Sequence, residues 1–259
     1  MREVDEALAR AFAQREQNDP RPKVPPAPHW PVRSQKTVVP RAHPLDAEAQ
    51  AIELQWPAVV LTLEREWGER FEKMAHLMRA VQERQGFKAF LFTSCHRAEG
   101  RSTLVLTLAR ALAREPIKTL VLDADLTGPM IARLLGLRPQ VGLDDVVESG
   151  LALSDALIDA RDDHLGILPM RAAVSRPRDF MSNPAWTCTM ARLRREFDLI
   201  LVDGGPLFAG LSAAVLHRSV DAAVLVHNRG MTGERSVIRA REVLEAGGVP
   251  LLGLAETFV

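Results

Sequence analysis

Apolar runs alternate with amphipathic segments through most of the chain after residue 86. The apolar runs are rich in Val, Leu, Ile and Phe, and the segments between them repeat apolar residues every three or four positions. Continuous apolar runs are typical of strands buried on both faces of a parallel sheet. The pattern therefore predicts an α/β domain with a mostly parallel sheet and helices on both faces.

The individual elements follow from the same periodicity. Strands are expected at 87–94, 117–123, 165–169, 198–203, 221–227 and 250–255. Helices are expected at about 102–114, 129–136, 152–159, 184–196, 210–217 and 232–246. Parallel strands need crossover connections, and helices of this length supply them.

The first part of the chain has a different composition. Residues 3–17 carry a weak amphipathic pattern, and 20–45 is rich in proline and basic residues, which predicts a disordered linker. From Asp46 a helical pattern leads to Gly86, ahead of the first strand. The predicted organisation is thus a flexible segment over 1–45 and one domain over 46–259. The basic linker could contact anionic lipid or a partner, or could be merely solvated.

Composition limits the classes of function. The 259 residues carry no net charge, so no nucleic-acid partner is expected. Two cysteines provide no disulfide framework, the start of the chain has no signal pattern, and the longest apolar run, 56–63, is too short to cross a bilayer. A cytoplasmic location is the resulting expectation. The chain contains no tyrosine.

A polar loop links the first predicted strand to a helix. Gly100-Arg101-Ser102-Thr103 closes that loop, and the free N–H groups of the helix that follows favour an anion. A phosphate-binding loop reads G-x-x-x-x-G-K-[ST], and here Cys95 stands for the first glycine and Arg101 for the lysine. An ordinary strand-to-helix turn is the alternative interpretation of these residues.

Acidic residues end two later strands. Asp123 and Asp125 follow one apolar run, and Asp203 follows another. Ligands bind at the carboxyl edge of parallel sheets, where carboxylates can hold Mg²⁺ against phosphate oxygens. Each aspartate alone could be a turn or N-cap residue. Together with the loop, they predict a P-loop NTPase-like nucleotide site.

These segments together resemble the bacterial tyrosine kinase family of capsular and exopolysaccharide biosynthesis, the CpsD, CapB and Wzc type. That family belongs to the MinD- and ParA-like branch of P-loop proteins. The matching stretches are Ser94–Thr103, Leu122–Pro129, Gly142–Val146, Val202–Pro206 and the closing apolar strands. The resemblance implies binding of ATP and Mg²⁺ and a place at the inner face of the plasma membrane. A membrane polysaccharide chain-length or export protein would be the partner, and a homo-oligomer is conceivable.

The resemblance also implies the roles of individual residues. Catalytic roles fall to Asp123, Asp125 and Arg101, and nucleotide contacts to Glu99, Gly100, Arg101, Ser102 and Thr103. Metal contacts fall to Ser102, Asp125 and Asp203.

The sequence departs from the family at several points. The phosphate-loop lysine is Arg101, whose planar fork is bulkier than an ammonium group, and the family's C-terminal tyrosine cluster is absent. Three hypotheses stay open at this point. The chain is an ATPase or kinase that phosphorylates another chain, a nucleotide-binding pseudokinase that regulates polysaccharide assembly, or a MinD-like positioning ATPase.

Overall fold

The computed structural model describes residues 54–209 and 219–257. The weak amphipathic pattern at 3–17, the proline-rich linker, the domain boundary near residue 45 and the predicted helix at 210–217 lie outside the described residues.

Within the described residues, seven strands form a single sheet in the spatial order β3-β4-β2-β5-β1-β6-β7. They are β1 Ala89–Ser94, β2 Thr119–Ala124, β3 Ile158–Ala160, β4 Leu165–Leu168, β5 Leu199–Pro206, β6 Ala222–Asn228 and β7 Leu251–Thr257. Every neighbouring pair is parallel except β3 with β4, which is antiparallel. The predicted mostly parallel sheet is confirmed.

Helices connect the strands. They are α1 Ala58–Gln85, α2 Arg101–Leu112, α3 Ile131–Leu134, α4 Leu143–Ser149, α5 Leu153–Ala156, α6 Pro177–Ser182, α7 Pro184–Glu196 and α8 Glu234–Ala246. Short 3₁₀ turns cover Arg161–Asp163 and Leu207–Ala209. Strands β1, β2 and β5, which carry the predicted site, have no exposed residue.

The predicted helix at 152–159 is wrong in its second half. Helix α5 ends at Ala156, and the edge strand β3 follows at once. Helix α4 was not predicted. At its start, the carboxylate of Asp145 accepts a hydrogen bond from the N–H of Gly142. Such a contact at the third helical position is half of a capping box, which satisfies one donor at the helix start.

The long helix α1 packs on α2. Its buried residues include Val60, Met78 and Val81. Glu64 forms ion pairs with Arg110, in the last turn of α2, and with Arg114, just beyond that helix. Among the described residues, no helix is both long and apolar enough to cross a membrane.

The two cysteines are free and differ in environment. Cys95 is buried at the end of β1, whereas Cys188 is exposed on α7. Burial, with the nearby Glu99 carboxylate, raises the pKa of the Cys95 thiol to about 11.

Candidate functional site

The predicted phosphate loop and the acidic residues lie at one edge of the sheet. Strand β5 pairs with β1 on one side and β2 on the other, and Asp203 is level with both Phe92 and Asp123. All three strands are parallel, so their carboxyl ends meet there. The loop after β1 leads directly into α2 at Arg101. The structure therefore brings together the residues that the motifs singled out.

Arg101 occupies the centre of this edge. Its Nε donates to Asp203 Oδ1 at 2.7 Å, and its Nη2 donates to Asp125 Oδ2 at 2.9 Å. Its Nη1 donates to the Ser94 hydroxyl at 3.0 Å. Arg101 is 9% exposed, and Asp125 and Asp203 are 2% and 0% exposed, so the ion pairs are shielded from water. Buried charges require such pairing.

The carboxylate of Asp123 is held by backbone donors. Its Oδ2 accepts from the N–H groups of Met130 and Ile131 at the start of α3, and its Oδ1 accepts from the N–H of Asp125. Burial, reinforced by the neighbouring Asp203 carboxylate, raises the pKa of Asp123 to about 8. The predicted catalytic Asp123 thus serves here as a buried structural acid, and its catalytic role stays a prediction.

Asp125 and Asp203 differ in how their oxygens are used. Asp125 Oδ1 accepts from the N–H and hydroxyl of Thr127 and from the N–H of Gly128. Asp203 Oδ2 is buried beside Ser102 and has no hydrogen-bond partner of good geometry among the described residues. Burial raises the pKa of Asp203, while the Arg101 guanidinium opposes that rise.

Glu99 fastens the loop to neighbouring strands. Its carboxylate accepts from the N–H of His96 at 2.7 Å, the N–H of Asn228 at 3.2 Å and the hydroxyl of Thr232. Its carbonyl accepts from the Thr257 hydroxyl at 2.7 Å. Glu99 is 1% exposed, and its predicted nucleotide contact stays a prediction.

The loop also uses the left-handed backbone region. Ala98 has φ of 62° and Gly100 has φ of 80°. A non-glycine residue such as Ala98 seldom adopts this region. The hydrogen bonds of Glu99, the next residue, hold the backbone of the loop in this conformation. The turn at Gly100 leads into the first turn of α2, where no described side chain caps the helix.

Two contributors to the site were missed by reasoning from the sequence. Ser94, the last residue of β1, receives the Nη1 donor of Arg101. Thr232 comes just before α8 and binds Glu99, and its position two residues ahead of that helix was the available signal.

Arg97 is 52% exposed and donates to the Thr127 hydroxyl at 2.6 Å.

A magnesium ion does not fit between Asp125 and Asp203 in this arrangement. The Arg101 guanidinium fills the space between them, and each has an oxygen committed to it. Both Asp123 oxygens bind backbone N–H groups. The described residues contain no group of three or more His, Cys, Asp or Glu arranged to hold a metal ion. Mg²⁺ prefers several oxygen ligands at about 2.0–2.1 Å, which this cluster does not offer.

Comparison with known proteins identifies relatives of this chain, although no protein-family model matches it. The tyrosine-protein kinase CpsD of Streptococcus pneumoniae is 28% identical over 168 residues, covering 64% of this chain and 74% of the relative. The tyrosine-protein kinase YwqD of Bacillus subtilis is 29% identical over 167 residues, covering 64% of this chain and 70% of the relative.

Solved structures show the same fold. The kinase domain of VpsO superposes with a TM-score of 0.66 at 25% identity, covering 76% of this chain and 98% of that domain. The septum site-determining protein MinD of Pyrococcus horikoshii, solved with Mg-ADP, gives 0.54 at 25% identity, covering 64% of this chain and 68% of MinD. These findings confirm the resemblance to bacterial tyrosine kinases and the MinD-like P-loop fold.

Proposed function

We propose that this relative of the bacterial tyrosine kinases is a nucleotide-binding pseudokinase that regulates a membrane polysaccharide assembly complex. It binds adenine nucleotide in the loop between β1 and α2 but transfers its phosphoryl group poorly. The observation that carries the proposal is the Arg101 side chain, which is bound by Asp125, Asp203 and Ser94 in place of a free phosphate-loop lysine.

Nucleotide binding is supported by the backbone of the loop. The loop turns at Gly100 into the N-terminus of α2, whose first-turn N–H groups and helix dipole favour a phosphate. Arg97 on the same loop is half exposed and offers a positive charge at its rim. CpsD is similar to this chain over 168 residues, and the VpsO kinase domain shares its fold.

Weak phosphoryl transfer follows from the position of Arg101. To meet a γ-phosphate, its guanidinium would have to leave three hydrogen bonds and two buried ion pairs. A displacement of about 1 Å in a catalytic group can cost about 100-fold in rate. The chain has no tyrosine, so it cannot phosphorylate itself on tyrosine.

An active ATPase or kinase that acts on another chain is the second candidate. The retained carboxylates Asp123, Asp125 and Asp203 favour it, since they lie together at the strand ends beside the loop. The MinD-like positioning ATPase draws its support from the shared fold. An ATP-dependent dimer would favour that third function.

Arg101→Lys distinguishes the first two candidates. We expect the wild-type protein to bind ADP and ATP in calorimetric titrations and to release phosphate slowly. The lysine variant is expected to release phosphate faster, by a factor on the order of 100, because a compact ammonium group can contact phosphate directly. Arg114→Lys, on the exposed side beyond α2, is the matched control and should leave turnover unchanged.

The two failures of this proposal have different signatures. Measurable wild-type phosphate release at a rate equal to or above that of Arg101→Lys would establish the active enzyme in place of the pseudokinase. Absence of binding to both ADP and ATP would reject the nucleotide function altogether.

A further inference from the structure

One guanidinium group bridges two buried carboxylates at the strand ends. The Arg101 Nη2 atom lies 2.9 Å from Asp125 Oδ2, and its Nε atom lies 2.7 Å from Asp203 Oδ1. All three residues are at least nine-tenths buried, so solvent screens these charges weakly. A cation supplied by the chain thus joins two groups that would otherwise repel each other.

We propose that Arg101 is the built-in cation of this site and replaces Mg²⁺ there, so that both the folded domain and its bound nucleotide are independent of the metal. The nucleotide part of this inference rests on the proposed function. A magnesium ion placed between the two carboxylates would have to displace the guanidinium. A second cation beside it would be repelled at short range.

The geometry of the arginine side chain suits this role. Its planar fork reaches Asp125, Asp203 and the Ser94 hydroxyl at the same time. A lysine ammonium is a single point of charge and could not make these three contacts together. Arg97 lies beside this cluster, with its Nη1 atom 3.7 Å from Asp125 Oδ2 and its side chain 52% exposed. Its positive charge can balance the phosphate charge that a metal ion would otherwise balance.

Thermal unfolding of the full chain without nucleotide tests the cation role. The wild-type Tm should be the same in EDTA and in MgCl₂ at matched ionic strength. In EDTA the Tm of Arg101→Met should fall on the order of 10 °C, because two buried carboxylates are left unpaired. MgCl₂ should restore part of that loss in the variant, since the vacated space then accepts the ion.

Arg110→Met is the matched control, because Arg110 lies on the same helix and bridges Glu64 and Asp163. It should be destabilised without gaining a response to MgCl₂. A wild-type Tm that rises in MgCl₂ would overturn the inference. An Arg101→Met protein whose Tm ignores MgCl₂ would overturn it equally.

A second variant covers the case in which Arg101→Met fails to fold in EDTA. The double variant Arg101→Met/Asp125→Asn removes one of the two carboxylates that Arg101→Met leaves unpaired. It should be more stable than the single variant in EDTA and should respond less to MgCl₂. A double variant that is no more stable than the single one would show that charge compensation is not the role of Arg101.

Titration of the wild-type protein with ADP tests the nucleotide part. The Kd in EDTA and in MgCl₂ should agree within about twofold. A Kd about tenfold or more weaker in EDTA would overturn the metal-independent inference and leave the proposed function standing. Failure to bind ADP in either buffer would reject the proposed function, while the Tm measurements would still decide the role of Arg101.

Discussion

Glu99 has the densest set of contacts in the loop between β1 and α2. One carboxylate accepts from the N–H of His96 within the loop, from the N–H of Asn228 at the end of β6 and from the hydroxyl of Thr232 ahead of α8. Glu99 is 1% exposed, so its carboxylate depends on these protein donors in place of water. The side chain therefore sets the loop conformation, including the left-handed turn at Ala98.

Replacing Glu99 should destabilise the fold in a graded way. Glu99→Gln loses the acceptor for one N–H group, whereas Glu99→Ala removes the acceptor of all three donors and should lower the free energy of unfolding by about 3 kcal/mol. The glutamine variant should lie between the alanine variant and the wild type in urea unfolding.

The exposed Glu245 on α8 provides the control for the Glu99 series. Glu245→Ala should change stability by less than about 0.5 kcal/mol. An alanine variant of Glu99 as stable as this control would contradict the structural role of the buried carboxylate.

At the scale of single elements, Gly204 allows β5 to pack closely against Leu91 and Phe92 of β1. A Cβ atom at this position would lie 2.5 Å from Leu91 Cδ1 and 3.3 Å from the carbonyl oxygen of Phe92. Leu91 is fully buried, so its side chain has little space to retreat. The glycine after Asp203 is thus required by packing beside the site.

Gly204→Ala should lower the free energy of unfolding by about 1–3 kcal/mol through overpacking. Gly68→Ala is the matched control, because a Cβ there meets nothing within 4 Å in the middle of α1. That substitution should change the free energy of unfolding by less than about 0.5 kcal/mol, because Gly68 follows Trp67, where the backbone of α1 is not helical. Urea unfolding of both variants measures the difference, and equal stabilities would refute the packing argument.

The elements that the sequence predicted well are those with long apolar runs. Strands β2 and β5 contain the continuous apolar runs 120–122 and 199–202, which are typical of buried parallel strands. Strand β3 is three residues long at the sheet edge, so it carries too little periodicity to be distinguished from the end of a helix. The short helix α4 was not predicted for the same reason, since it also shows too little periodicity.

The candidate site was predictable in its location and not in its contacts. The order of the motifs placed Arg101, Asp125 and Asp203 at one sheet edge, because parallel strands bring their carboxyl ends together. The hydrogen-bond partners of the Arg101 guanidinium depend on the directions of side chains at the ends of three separate strands. Sequence spacing does not encode those directions, so the bridge between Asp125 and Asp203 required the structure.

At the scale of the whole molecule, stability should depend on pH through Asp123. Its pKa is raised to about 8 by burial and by Asp203, against an ordinary value of about 3.8. Between these values the folded protein keeps a proton that the unfolded chain releases. The free energy of unfolding should therefore fall as pH rises through that window, by at most about 1.4 kcal/mol per pH unit, and level off above about pH 8.

Asp123→Asn isolates this contribution, because the amide does not titrate and its oxygen can still accept from the backbone. Urea unfolding from about pH 5 to about pH 9 should give a shallower slope for the variant than for the wild type. Asp203, whose pKa is also raised, would account for the slope that remains. If the free energy of unfolding had the same slope against pH in both proteins, the proton kept by the folded state would belong to a group other than Asp123.

The contrast between the two cysteines offers a practical handle on this protein. Thiols react as thiolates, so the buried Cys95 with its raised pKa is inert at neutral pH, while Cys188 on the surface of α7 is accessible. A fluorescent or paramagnetic maleimide would consequently label each molecule at one defined point without any engineered cysteine. Such a label would report the docking of the intact chain on membranes or candidate partners.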